Sequence, residues 1–364
     1  MNLDDILRGS GSWVGMDRQP GPVVSSRVRL ARNIHAHRFP SWADDAERLE
    51  LWREVRDVLA ELPALQPSHI VKMDELDDID KQILFERHLI SREHMGEYDG
   101  SGLLVRDDER VAIMVNEEDH LRLQALAPGL HLKEAWESID QIDSEIEKKL
   151  RYAFSAEMGY LTACPSNVGT GMRASVMLHL PGLVLMNEVA PIIKGMGKIG
   201  LAVRGLWGEG TEATGNLFQI SNQITLGDQE RNIVENLEQI VLEVVEHEKN
   251  ARIRLAEERE MLLKDQAGRA YGVLTHAHIL TSKEALDLLS DLRLGIDLGI
   301  VEHLDGLNVD ELLLLTQPAH LQKIEGKQLK PAERDRVRAQ LIRDRLNKLS
   351  KPQRRKTSSP DTHE

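Results

Sequence analysis

Between Asp228 and Ala267 the chain contains neither glycine nor proline, the residues that most readily interrupt a helix. Within that stretch Ile233, Leu237, Ile240, Val241, Val244 and Val245 recur at helical spacing among many charged residues. A long amphipathic helix is expected there, with Asp228 as its N-cap. Such a helix needs a layer to cover, and it divides the chain into two parts of unlike texture. Short apolar runs broken by Gly- and Pro-containing turns precede it. Helical patterns near 281–291, 308–315 and 331–349 follow it.

In the first part, Leu49, Trp52, Val55, Val58 and Leu59 predict a helix within 44–62. The apolar runs 103–105 and 111–115, separated by Arg106-Asp107-Asp108-Glu109-Arg110, predict a hairpin. Further strands are expected at 159–163, 183–186, 199–204 and 217–220, with helices near 132–156 and 170–180. Because helices and strands do not alternate strictly, the expected class is α+β. It comprises a mainly antiparallel sheet flanked by helices, then an all-helical C-terminal domain. The expected divisions are a lead-in (1–21), a first domain (22–255), a helical domain (256–350) and a polar, disordered tail (351–364).

Composition narrows the function. A formal net charge of -14 argues against direct, sequence-independent nucleic-acid binding, which needs a basic face. The single cysteine, Cys164, permits no intramolecular disulfide. The most apolar stretch, 174–193, is broken by His179, Pro181, Glu188 and Pro191, so no membrane-spanning helix is expected. The N-terminal residues lack a basic region followed by an apolar run, and a cytoplasmic location is expected.

Four segments stand apart from ordinary core or surface. In Ser25-Ser26-Arg27-Val28-Arg29, an extended backbone would put Arg27 and Arg29 on one face, an arrangement that repels itself unless an anion intervenes. The plain alternative is a solvated basic edge strand. Asn116-Glu117-Glu118-Asp119-His120-Leu121-Arg122 places three acids at a strand end, with Arg122 one turn beyond Glu118 if a helix starts there. Acids at a helix N-terminus would explain that segment without any function. Cys164 leads a Gly-rich turn and then Arg173-Ala174-Ser175-Val176-Met177, expected at a helix start. Arg204-Gly205-Leu206-Trp207-Gly208-Glu209 is a glycine-rich loop with opposite charges at its two ends.

Together these signals fit one chemistry. Arginines 27, 29, 122, 173 and 204 would cage a triphosphate, and Glu118 and Glu209 would supply two carboxylates. A guanidinium stays protonated at ordinary pH and is a poor nucleophile. Carboxylates can orient its planar fork and accept the proton as a nitrogen–phosphorus bond forms. The arginines would stabilise the transferring phosphoryl group.

SSRVRLAR, NEEDHLRL, CPSNVGTGMRAS and RGLWGEGTEATGNLFQISN resemble, in the same order, the motifs of the ATP:guanido phosphotransferases, or phosphagen kinases. The resemblance spans about residues 22–255. It implies an ATP site formed by Ser25 to Arg29, His88, Arg122, Arg173 to Met177 and Arg204 to Glu209. It also implies Glu118 and Glu209 as the orienting, proton-accepting carboxylates, with Cys164 beside the substrate. Magnesium would be held mainly through the nucleotide phosphates, with no dedicated protein cage.

Two departures point to a branch of that family. Kinases of small guanidines carry a helical domain of roughly a hundred residues ahead of the first arginine motif. Here that motif begins at Ser25, and a helical module follows the catalytic motifs instead. Both features resemble the bacterial protein-arginine kinases, whose acceptors are exposed arginines of proteins. In their C-terminal module an RDxxRA motif binds phosphoarginine allosterically, and here Arg334, Asp335 and Arg338 match it. The resemblance further implies an McsA-type activator, delivery of marked proteins to a Clp protease system in the stress response, and a homodimer or higher oligomer. A kinase of free arginine and a non-catalytic phosphoarginine-binding adaptor are the alternatives.

Overall fold

The computed structural model describes residues 11, 21–96, 99–205, 213–302, 304 and 306–349. Almost all of the lead-in and the whole tail lie outside the described residues. Strand β1 (Val23–Arg32) opens the fold, and α1 (Asp45–Ala60) follows it. A capping box starts α1: Asp44 accepts from the Glu47 amide and Glu47 accepts from the Asp44 amide. Then come β2 (Ser68–Lys72), α2 (Asp78–Glu86), β3 (Gly102–Arg106), β4 (Val111–Val115), β5 (Leu121–Pro128) and α3 (Leu132–Glu147). A two-residue pair, β6 (Phe154–Ser155) and β7 (Gly159–Tyr160), leads to β8 (Met172–His179), α4 (Pro181–Leu185), α5 (Val189–Lys198), β9 (Leu201–Gly205) and β10 (Leu217–Asn222). The remainder is helical: α6 (Glu230–Glu258), α7 (Glu260–His276), α8 (Ser282–Asp297), α9 (Gly306–Leu315), α10 (Pro318–Glu325) and α11 (Pro331–Leu349).

Among the described residues one large sheet runs β2-β3-β4-β5-β1-β8-β10-β9, with every neighbouring pair antiparallel. The α+β expectation and the 103–115 hairpin are both met. β1 is a central strand, not an edge, because β5 and β8 pair on its two sides. One face of the sheet, with Val28, Leu30, Ile113, Leu123, Ala174, Val176 and Ile220, packs under α1, α3 and α6. The other face carries two apolar clusters. Leu103, Val105, Met114 and Leu126 meet α2, while Met177 and Leu217 meet the C-terminal helices.

Several expectations need correction. Residues 172–179 form strand β8, not a helix. Met172, Ala174, Val176 and Leu178 alternate with Arg173, Ser175 and His179, which is the period of a strand, and Met177 is the one apolar residue on the second face. Residues 183–186, expected as a strand, lie in helix α4 and its C-cap, because Pro181 sits at the N-terminal position that proline favours. The long helix begins after Gln229, one residue beyond the expected cap, and Asp228 instead accepts from the Gln229 amide and the Asn232 side chain. It stops at Arg259, whose φ of -135° is not helical, so the Gly- and Pro-free stretch makes two helices. The helix expected near 132–156 ends at Glu147, and α10 was not foreseen.

Candidate active site

Register across the sheet gathers the arginines. In β1 Arg27 lies opposite Ser175, Arg29 opposite both Arg173 and Gln124, and Ala31 opposite Arg122. In the outer strands Gln219 lies opposite Met177 and Arg204. Directly paired residues share a face. Arg27, Arg29, Arg122, Arg173 and Arg204 therefore point from the same side of four strands, β1, β5, β8 and β9. The alternate positions Val28, Ala174 and Val176, also in the expected ATP set, have their side chains in the opposite core. Ser26 is likewise buried, donating to the Gly129 carbonyl and accepting from the His131 amide. Ser25 is buried, Ser175 is within reach of the Arg27 carbonyl, and Met177 packs toward the C-terminal helices.

The cluster is electrostatically strained without an anion. Burial, reinforced by Arg122 and Arg173, lowers Arg27 to about 10. Burial and then Arg27, Arg122 and Arg173 press Arg29 well below the usual guanidinium range. The Arg29 Nε is buried with no hydrogen-bond partner. Arg27 finds one acceptor, the Gln219 side chain at 3.0 Å. Burial, Arg204 and Arg122 lower Arg173. Among the described residues neither Arg27 nor Arg29 has an ion-pair partner, and buried cations so placed cost several kcal/mol each, so a polyanion suits the cluster. His88, in the left-handed region with φ of 61°, lies with Arg27, Arg29, Phe85 and Gln124 around one cavity beside this cluster. Burial and the two arginines lower it to about 3, which leaves its ring neutral.

The acidic segment forms no helix: Arg122 is on strand β5, and Asn116 turns the chain with φ of 54°. That turn sends three consecutive acids three ways. Glu117 receives Arg122 at 2.6 Å and the Ser91 hydroxyl. Asp119 receives the Asn33 side chain and the Ala163 amide, each at 2.6 Å. Glu118 is left exposed toward a cavity of ≈ 190 Å³ that Arg29, Arg122, Cys164, Asn167 and Arg173 also line. Burial, then the charges of Asp119 and Glu117, raise the Glu118 carboxyl, while Arg122 and a hydrogen bond with Cys164 oppose the rise. The Cys164 thiol also lies 3.0 Å from the Ser166 hydroxyl.

Leu206, Trp207, Gly208 and Glu209 lie outside the described residues; Arg204 and Gly205 end strand β9. Sequence reasoning passed over Gln219, Gln124 and Asn33. Gln219 and Asn33 could have been suspected from their place inside or beside the quoted motifs. The Arg334–Arg338 motif lies on α11, away from these cavities. Arg338 is buried, donating to the carbonyls of Thr316 and Leu280 and to Asp335, while Arg334 donates to the Leu329 carbonyl. Asp335 thus already faces an arginine of its own chain. Among the described residues no helix is long and apolar enough to cross a membrane.

Residues 50–251 match the family described as ATP:guanido phosphotransferase, C-terminal catalytic domain, and residues 260–357 match the protein-arginine kinase McsB C-terminal domain. The chain is 46% identical over 349 residues to a protein-arginine kinase of Halothermothrix orenii, covering 95% of this chain and 100% of that one. It is 44% identical to the protein-arginine kinase of Bacillus subtilis over 354 residues, 95% and 96% of the two chains. Among solved structures, the duplicated taurocyamine kinase of Schistosoma mansoni superposes with TM-score 0.59 and 28% identity, over 65% of this chain and 34% of that longer one. Lombricine kinase does so with TM-score 0.57 and 25% identity, over 68% and 76%. With the arginine face, the acidic turn and the added helical module agreeing with these likenesses, the chain belongs to the ATP:guanido phosphotransferase family, in its protein-arginine kinase branch.

Proposed function

We propose that this protein transfers the γ-phosphoryl group of ATP to arginine side chains of other proteins. The observation that carries the reading is the convergence of Glu118, Cys164, Arg29, Arg122 and Arg173 on one cavity, with His88 and Arg27 beside it. The arginine face takes the nucleotide phosphates, whose magnesium arrives with them as part of the substrate. Glu118 orients the acceptor guanidinium and takes its proton. As the nitrogen–phosphorus bond forms, the bond from the γ-phosphorus to the bridging oxygen breaks, and ADP leaves with that electron pair. A carboxyl raised above its ordinary value is better matched to accepting a proton near neutrality. Glu209 is assigned the second carboxylate role on sequence grounds, and Cys164 lines the guanidino end.

In this reading residues 22–255 are the catalytic unit and 256–350 a regulatory unit. Arg334 and Arg338 meet the phosphate of a bound phosphoarginine, and Asp335 meets its guanidino nitrogens. An McsA-type activator, a Clp protease system that receives the marked proteins, a homodimer or larger assembly, and a cytoplasmic setting belong to the same proposal. An acceptor assay with ATP and magnesium tests the core of it. Phosphate should pass to an arginine-containing protein. Rapid turnover of free arginine alone would identify a kinase of small guanidines instead. Phosphoarginine binding without any transfer would identify an adaptor.

A further inference from the structure

Beside the Glu118 cavity lies a second groove, of ≈ 790 Å³, lined by Pro40, Ser41, Glu93, His94, Glu117 and Glu118 among others. That volume is much larger than a guanidino group needs and admits several residues of polypeptide. Its walls are short of donors. Arg48, the arginine in its lining, is held by the carbonyls of Pro40, Ala43 and Asp99 and by Asp45. Two buried lining residues present acceptors with no partner. His94, 2% exposed, bonds the Gly102 carbonyl through Nε2, which fixes the proton there and leaves Nδ1 as a bare acceptor. Asn116, 1% exposed, donates to the carbonyls of Arg48 and Gly100, while its Oδ1 has no partner. Both atoms are closed to solvent, so among the described residues they give the groove's floor an acceptor character that nothing there offsets. Glu93 is exposed, and Trp42, 78% exposed, stands on the turn next to Ser41.

We propose that this groove binds the stretch of substrate polypeptide flanking the acceptor arginine, and that it favours a second basic side chain beside that arginine. The inference rests on the protein-arginine reading of the Glu118 cavity. The flanking chain supplies backbone amides, and a lysine or arginine supplies the cationic donors that Glu93 and the neighbouring acceptors lack. An acidic neighbour would instead face carboxylates at close range. Free arginine has no flanking chain, so this groove would contribute nothing to its binding.

Single-arginine peptides that differ only in the residues next to the arginine test this, with kcat/KM compared for lysine, alanine and glutamate neighbours. The wild type should prefer lysine over glutamate by roughly tenfold, the scale of one charge-assisted contact. Glu93→Lys should reduce or reverse that ratio, and Ser41→Lys, which adds a cation to another wall, should do the same. Each ratio is read within one variant, so a general loss of activity does not imitate the effect. Equal turnover of the three peptides by the wild type, or a ratio unmoved by both variants, would overturn the groove while leaving the protein-arginine reading intact. Phosphorylation of free arginine but of no peptide would overturn both.

Discussion

At the scale of single residues, the acidic turn shows how one side chain is singled out from three. Glu117 neutralises Arg122, Asp119 lines the cavity but is tied to Asn33 and the Ala163 amide, and Glu118 is the exposed carboxylate at the cavity. Glu118→Gln keeps the shape but cannot take a proton, so kcat should fall by about 100-fold or more with the fold unchanged. The raised Glu118 carboxyl sets the sign of the pH dependence. The base is active when ionised, so kcat/KM should fall as pH drops through a value above that of an ordinary glutamate. A pH–rate profile whose acidic limb lies at or below the ordinary glutamate value would remove Glu118 from that role. Under the proposed function Arg29 is the converse, a buried cation that costs stability until a phosphate meets it. Arg29→Met should leave thermal stability without nucleotide equal or higher, and should abolish most of the stabilisation that ATP confers. Differential scanning fluorimetry with and without ATP reads both effects. These residues were legible in the sequence because clustered guanidiniums and carboxylates are unusual whatever the backbone does. The directions in which they point were not. The helix expected at Arg173 and the one considered at Glu118 are both strand or turn, since only pairing across β1, β5 and β8 decides the face.

At the scale of elements, long local signals were read well and short buried ones poorly. The capped helix α1 and the β3–β4 hairpin follow from local pattern and turn chemistry. β8 carries a strand period, Met172, Ala174, Val176 and Leu178 against Arg173, Ser175 and His179, but it is short and follows a glycine turn that also suits a helix start. The amphipathic stripe on α6 was legible, with Ile233, Leu237, Val241, Val244 and Val245 all buried against the sheet layer. Its break at Arg259 was not, because neither glycine nor proline marks it. One buried residue ties three elements together. Arg32, at the end of β1, binds Asp143 of α3 at 2.7 Å and Glu230 of α6 at 3.2 Å, and its guanidinium lies 3.6 Å from the Tyr160 ring centroid. Arg32→Ala leaves two carboxylates buried without their cation and should cost about 3–5 kcal/mol in urea unfolding. A loss under about 1 kcal/mol would mean that water or neighbouring groups replace it.

At the scale of the whole molecule, the helical module is fastened to the sheet unit by buried polar contacts. Glu86, at the end of α2, is 2% exposed and caps α10, accepting from the amides of Ala319 and His320 and from the His320 ring. Gln317, the residue at the cap of α10, provides no side-chain capping bond, its amide donating instead to the Leu313 carbonyl, so the cap comes from Glu86. Arg252 of α6 reaches Asp297 of α8, and His179 of β8 meets Ser290 of α8 at 2.7 Å. Glu86→Ala should loosen α10 first, which hydrogen exchange would show as faster exchange across 318–325 with the central sheet still protected. The sequence displayed both units by their texture, but it could not show this fastening, which joins residues far apart in the chain. The α10 seat also lies two residues from His88, so the helical module and the cavity lined by His88, Arg27 and Arg29 share one segment of backbone. The account as a whole turns on the acceptor. Incubation with ATP, magnesium and an arginine-rich protein, followed by mass spectrometry at neutral pH to protect the acid-labile nitrogen–phosphorus bond, measures it directly. Phosphate on protein arginines, absent with Glu118→Gln, is the predicted result; phosphate only on free arginine would contradict the account.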